Sequence, residues 1–360
     1  MKTTKFFNIH KKLGAKLVSF AGFEMPIQYS SIIAEHNAVR NNVGVFDVSH
    51  MGEIFIRGKN ALNFVQKITV NDASKLVDGK VQYSAMCYED GGIVDDLLVY
   101  KINDEEYMLV VNGANKDKDY EWILKNNSLN TEISDESDDY SLLAIQGPNS
   151  QTVVEKLINQ KISLEYYTFI KTKLFDTDLI VSRTGYTGEL GFEIYFKGSE
   201  MIAEKIWESV FNADKDFGIV PAGLGCRDSL RLEMGYCLYG NDIDQTTTPL
   251  EAGLGWITKL NKSEFIGKKV LAKQKEDGLN RKLVPIIFID KVFPRHGYDI
   301  KKDGKTIGKI TSGTVSPTLQ KPIALAYVSI EHSNFGETFY ADIRGKEAEA
   351  KITKLPFLQK

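Results

Sequence analysis

Two adjacent acids, Asp95 and Asp96, sit inside the otherwise apolar run GGIVDDLLVY, from Gly91 to Tyr100. On a strand, alternation sends Asp95 to the face of Ile93, Leu97 and Val99, and Asp96 to the face of Val94, Leu98 and Tyr100. A carboxylate on either face has to be hydrogen-bonded, paired with a cation or kept for chemistry, because an unpartnered buried charge is costly. The competing reading is a strand-end turn with a capping acid. A second candidate is Glu193 in RTGYTGELGFEIYF, where Phe192, Ile194 and Phe196 share one strand face and leave Glu193 with Tyr195 on the other. A carboxylate there can accept two parallel N–H bonds, as from an amino-pyrimidinone or guanidinium edge. An exposed strand face would show the same pattern. The third is Arg227, on a helix expected over CRDSLRLEMG and closed by Gly235. Arg231 lies one turn on, with Asp228 placed to satisfy it, which leaves the planar fork of Arg227 for a substrate carboxylate or an interdomain salt bridge.

Other chemistries find little support. Cys87, Cys226 and Cys237 form no CxxC pair, and an odd count argues against a disulfide framework. His10, His36, His50, His296 and His332 are scattered, so no metal is expected. No Ser/His/Asp order stands out. The glycines 185, 188 and 191 lack GxGxxG spacing, and the GKT at Gly304–Thr306 has Asp299 where a P-loop needs its first glycine. With 45 basic and 48 acidic side chains, no global field favours nucleic acid. The early lysines 2, 5, 11, 12 and 16 read as a solvated surface or a docking patch. No apolar run is long enough for membrane insertion, and a cytoplasmic location is the expectation.

The elements that must position these residues are short. Strand-like runs at Tyr107–Asn112, Leu142–Gln146 and Leu179–Arg183 mix with a helical segment at Glu200–Phe211. Polar stretches at Lys125–Asp139 and Ala272–Lys282 read as surface connections or domain seams. Beyond Lys282 the pattern is mainly β, as in a small terminal all-β module. At 360 residues the chain has room for two or three domains, and the expected class is α+β, because the regular alternation of a doubly wound fold is absent.

Taken together, AGFEMPIQY (Ala21–Tyr29), FDVSHMGE (Phe46–Glu53), GGIVDDLLVY, RTGYTGELGFE, RDSLRLEMGYCLYGNDID (Arg227–Asp244) and TSGTVSPTL (Thr311–Leu319) closely resemble the T proteins of the glycine cleavage system, which are tetrahydrofolate-dependent aminomethyltransferases. The blocks fall in family order along essentially the whole chain. The resemblance implies a three-domain cloverleaf around a central folate pocket: residues 1–50 with 140–245, residues 51–139 with 246–275, and a C-terminal β-barrel over 276–360. It implies Asp96 as the catalytic carboxylate and Glu193 and Arg227 as folate anchors, with Met51, Tyr83, Asn112 and Tyr186 lining the pocket. It further implies tetrahydrofolate as co-substrate, a lipoylated H protein as partner, and no metal, nucleic acid or membrane. The C-terminal LPFLQK departs from many family members, which carry an aromatic or basic residue just beyond the PF that can reach the folate. An alternative is a non-catalytic folate-binding relative supporting iron–sulfur proteins or RNA modification, a branch with a different motif where this chain has GCRDSLRLE. A flavin-dependent oxidase would need a dinucleotide fingerprint that is missing here.

Overall fold

The computed structural model describes residues 1–213 and 218–359. The chain forms two compact units, one of residues 1–65, 73–83 and 97–228, the other of residues 66–72, 84–96 and 229–360.

In the first unit a six-stranded sheet runs in the order Phe169–Leu174, Thr177–Ser182, Gly191–Lys197, Tyr140–Gln146, Gly44–Asp47, Val220–Pro221. All neighbours are antiparallel except the last pair. Period-two alternation assigns the faces. Leu179, Val181, Phe192, Ile194, Phe196, Leu143 and Ile145 pack with Val153, Leu157, Ile206 and Trp207 from the helices Ser150–Ile158 and Glu200–Ala213. The opposite face carries Ser182, Glu193 and Ala144 in one row across three strands, and Ile180, Tyr195 and Leu142 in the next. That face is covered too: Tyr195 is 1% exposed and Glu193 7%, so the exposed-face reading of Glu193 is overturned. A second, five-stranded sheet has the order Val81–Cys87, Ile93–Asn103, Glu106–Val111, Gly52–Arg57, Glu132–Asp135. The last of these strands lies inside the polar stretch expected to be a plain connection. A four-residue edge strand needs no continuous apolar face, and its burial pattern is mostly intermediate. Two of the five early lysines meet surface acids, Lys2 with Asp138 at 3.1 Å and Lys12 with Glu204 at 2.8 Å.

In the second unit the C-terminal segment is a closed six-stranded barrel, ordered Arg281–Phe288, Pro322–Ser329, Lys305–Val315, Asp299–Lys302, Thr338–Ile343, Lys346–Ile352. Its interior alternates along each strand, as in Val284, Ile286 and Phe288, and Ala324, Ala326 and Val328. Five alanines, Ala324, Ala326, Ala341, Ala348 and Ala350, keep that interior narrow enough for six strands. The GKT sequence is a hairpin: Asp303 and Gly304 both take positive φ between Asp299–Lys302 and Lys305–Val315, the conformation of a type I′ turn. The second polar stretch begins as the solvated end of a helix, Lys268–Asp277, whose single buried residue is Leu271. No helix among the described residues is long and apolar enough to cross a membrane. The α+β class and the C-terminal barrel agree with the expectation from sequence.

Candidate active site

Glu193 is held from both sides of its strand. Ser182 and Ala144 are its cross-strand partners, and the small alanine leaves room beside the carboxylate. The loop before the strand is shaped by Gln146, whose Nε2 donates to the carbonyls of Thr184 at 3.2 Å and Phe192 at 3.3 Å, while its Oε1 accepts from Thr187 Oγ1 at 2.9 Å. A β-carbon at Gly185 or Gly191 would collide with that amide. Glycine at 185 and 191 is therefore the footprint of one buried glutamine. Arg40 closes the loop, donating from Nη1 to the Thr187 carbonyl at 2.6 Å and pairing with Glu189 at 2.9 Å.

Within this frame Glu193 Oε2 accepts from Thr184 Oγ1 at 2.5 Å and lies 3.5 Å from the Tyr195 hydroxyl. Burial pushes the carboxyl up, opposed by the Thr184 bond, the charge of Arg227 and Tyr195. Arg227, on the helix Leu224–Glu233, lies over the ring of Tyr186 at 4.7 Å from the centroid. No ion pair joins it to Glu193 among the described residues, and Nη1 is buried without a hydrogen-bond partner. Burial lowers its guanidinium pKa, while Glu193 opposes that shift. An aromatic-stacked arginine with an unmet donor near a carboxylate with one uncommitted oxygen suits a ligand carrying both N–H and anionic groups.

Three further residues of FDVSHMGE extend the cluster. The turn after Gly44–Asp47 is fixed by Asp47, whose Oδ1 accepts from the Ser49 amide at 3.0 Å and whose Oδ2 accepts from Thr4 Oγ1 at 2.6 Å and faces His10 Nε2 at 2.9 Å. His50 follows, buried with Nδ1 unpartnered. Burial and then Arg227 push it down to about 4, against a smaller pull from Asp47, so the ring is neutral near pH 7. Met51 is half-buried next to it. Glu53, on Gly52–Arg57, is buried with Oε1 unpartnered, and burial, Asp135 and Glu193 raise its pKa well above the carboxylate range against Lys116. Sequence reading picked Met51 and passed over His50 and Glu53. The available signal was a histidine and an acid in an otherwise small and apolar stretch, and only burial makes it informative. Asn112 is half-buried at the end of Glu106–Val111, and the next residue, Gly113, lies so close to the His50 carbonyl that no β-carbon fits. Tyr83 is half-buried on Val81–Cys87.

Asp96 belongs to the second unit. On the strand Ile93–Asn103, Asp95 is fully buried and Asp96 only half-buried, so both sit where an acid is costly and neither is a strand-end cap. The strand start is held by the NDID segment: the Ile93 amide donates to the Asp244 and Thr247 carbonyls at 3.2 and 3.0 Å, and Tyr239 Oη donates to the Ile93 carbonyl at 3.2 Å. Burial first, then the charges of Asp242 and Asp96, push the pKa of the Cys237 thiol up. In the same unit Arg231 pairs with Asp242 at 2.7 Å and donates to Ser312 Oγ at 2.9 Å, Thr311 Oγ1 donates to Asp242 at 2.6 Å, and Ser316 Oγ donates to Glu233 at 2.5 Å. The TSGTVSPTL block thus reads as the partner of RDSLRLEMGYCLYGNDID in a buried ionic network.

Two family models match the chain: the GCVT N-terminal domain over residues 6–262 and the glycine cleavage T-protein C-terminal barrel domain over residues 281–359. The aminomethyltransferase of Flavobacterium psychrophilum is 53% identical over 363 residues, covering 100% of both chains. That of Halothermothrix orenii is 50% identical over 359 residues, covering 99% of this chain and 100% of its own. The crystal structure of glycine cleavage system aminomethyltransferase T from Bartonella henselae superposes with a TM-score of 0.93 at 32% identity, covering 99% of this chain and 98% of that one. With both models matched in order and full-length relatives at half identity, the chain belongs to the glycine cleavage T-protein family.

Proposed function

We propose that this chain is the aminomethyltransferase of a glycine cleavage system, acting on a lipoylated H protein and tetrahydrofolate. The methylene carbon of the aminomethyl group on the lipoyl arm passes to tetrahydrofolate, giving 5,10-methylenetetrahydrofolate, ammonia and the dihydrolipoyl H protein. The chain is an enzyme of the transferase class on the strength of its full-length relatives. The observation that carries the folate assignment is the Glu193 and Arg227 pair, a carboxylate with one uncommitted oxygen and a guanidinium with an orphaned buried nitrogen.

In this reading Glu193 accepts N–H bonds from the aminopyrimidinone edge, and Arg227 holds an acceptor or anionic part of the same molecule. Met51, Tyr83, Asn112 and Tyr186 line the site, with Tyr186 also holding the Arg227 plane in place. Asp96 acts at the reacting end, where its carboxylate orients ring nitrogens and steadies developing positive charge. Much of the rate would come from alignment of two bound reactants. The division into residues 1–50 with 140–245, 51–139 with 246–275, and 276–360 belongs to the same proposal. So does a cytoplasmic location, supported by an odd cysteine count with no CxxC pair, which offers no disulfide framework.

The test is calorimetric titration of tetrahydrofolate into wild type and Glu193→Ala. Loss of a charge-assisted bond predicts weakening of roughly 10- to 100-fold. Equal affinity of the two proteins would remove Glu193 from the site.

A further inference from the structure

Four buried hydroxyls form one chain that ends on Glu193. Tyr195 Oη lies 2.9 Å from Tyr100 Oη, Tyr100 Oη donates to Ser182 Oγ at 3.1 Å, Ser182 Oγ and Thr184 Oγ1 are 3.0 Å apart, and Thr184 Oγ1 reaches Glu193 Oε2 at 2.5 Å. Each hydroxyl has a single proton to give. An ionised carboxylate only accepts, so the Thr184 proton is committed to Glu193. Ser182 must then donate to Thr184, Tyr100 to Ser182, and Tyr195, 3.5 Å from Glu193 Oε2 but 2.9 Å from Tyr100, to the nearer Tyr100. Every O–H dipole points toward the carboxylate, and each bond polarises the next. Protonation of Glu193 at Oε2 would turn the acid into a donor and force Thr184, and the hydroxyls behind it, to reverse.

The sheet supplies this geometry directly. Ser182 is the cross-strand partner of Glu193, and Thr184 follows two residues later, at the mouth of the loop stapled by Gln146. Tyr100 arrives from the strand Ile93–Asn103 and meets Tyr195 edge-to-face, 5.6 Å between centroids. The charged groups acting on this carboxylate are few: Arg227 attracts the ionised form, while Glu53 on Gly52–Arg57 has its own pKa raised, first by burial. The hydroxyl chain and Arg227 therefore work together against desolvation.

We propose that Thr184, backed by Ser182, Tyr100 and Tyr195, is a positioning residue that holds Glu193 ionised and fixed through Oε2, so that Oε1 is presented to the N–H edge of the ligand. The proposal rests on the reading of Glu193 as the folate anchor.

The experiment is calorimetric titration of tetrahydrofolate from pH 5 to 8 into wild type, Thr184→Val, Thr184→Ser, Tyr100→Phe and Glu193→Ala. Titration of the ligand itself is common to all five and cancels in the comparison. Affinity in wild type rises with pH as Glu193 ionises. In Thr184→Val that midpoint moves up by about one pH unit, so binding is about tenfold weaker below it and equal to wild type above it. Thr184→Ser, which restores the hydroxyl, follows wild type. Weakening of Thr184→Val by one factor at every pH, or no change at any pH, overturns the proposal. If circular dichroism shows Thr184→Val unfolded, Tyr100→Phe decides, with a smaller shift in the same direction expected and no shift overturning the idea. Glu193→Ala separates the two claims: if it binds as tightly as wild type, the anchor reading itself fails, whereas weak binding there with an unshifted Thr184→Val removes only the role of Thr184.

Discussion

Arg227 carries a cost in the folded chain that a bound ligand would remove. Its Nη1 is buried without a partner and its charge is desolvated, so Arg227→Met should leave the melting temperature unchanged or higher, by up to about 2 kcal/mol of stability. The same substitution should weaken tetrahydrofolate at least tenfold in calorimetry, and a variant that loses stability but keeps affinity would mark Arg227 as structural. His50 offers a pH signature. Its folded pKa is held down at about 4 against an ordinary value of 6.5, so below pH 6.5 the unfolded chain takes up a proton that the folded one refuses. Stability contributed by the neutral ring is therefore full above pH 6.5 and drains away as pH falls toward 4, by roughly 3 kcal/mol in total. Asp47 has a depressed pKa, so its contribution is present above pH 3.8 and fails only at lower pH. Melting curves of His50→Gln between pH 7 and 4 should be flatter than those of wild type, and parallel curves would exclude His50 as the titrating group.

At the scale of elements, the strand Gly191–Lys197 and the loop before it act as one device. Gln146 occupies the space where side chains at 185 and 191 would stand, so Gly191→Ala should cost more than 2 kcal/mol and shift Glu193 with it. In a double-mutant cycle with Gln146→Ala, the combined variant should be more stable than the sum of the single effects, and strict additivity would contradict the packing account. Alternation made the Glu193 and Tyr195 face legible in the sequence, because a strand period is read locally. Whether that face met water was not legible, since it depends on Tyr100 and the second sheet, about ninety residues away along the chain. Glu132–Asp135 hid for a related reason. An edge strand is defined by its partner, and the polar letters of that stretch fit a connection equally well.

For the molecule as a whole, the barrel was visible in the β-rich tail and its turns, and the α+β class in the absence of regular alternation. Six blocks in family order named the family that spacing alone could not, and the proposal of Asp96 over Asp95 comes from that resemblance, since strand geometry left the two equally eligible. The blocks did not distinguish chemical from structural work: Arg231, one turn from Arg227, is consumed with Asp242, Ser312 and Thr311 in a buried network of the second unit. Breaking that network by Arg231→Met should cost about 3–5 kcal/mol, because the buried Asp242 loses its cationic partner, and a chemical denaturation midpoint near wild type would show that the network is dispensable. The same network explains why a sequence block in the barrel accompanies one in a helix more than seventy residues earlier.

Transfer of a one-carbon unit to tetrahydrofolate is read out by ammonia release from aminomethyl-lipoyl H protein. With wild type, ammonia should appear in proportion to enzyme only when tetrahydrofolate is present, and Asp96→Asn should lower the rate by roughly a hundredfold or more. Release that is equally fast without tetrahydrofolate, or that is absent with it, would contradict the assignment.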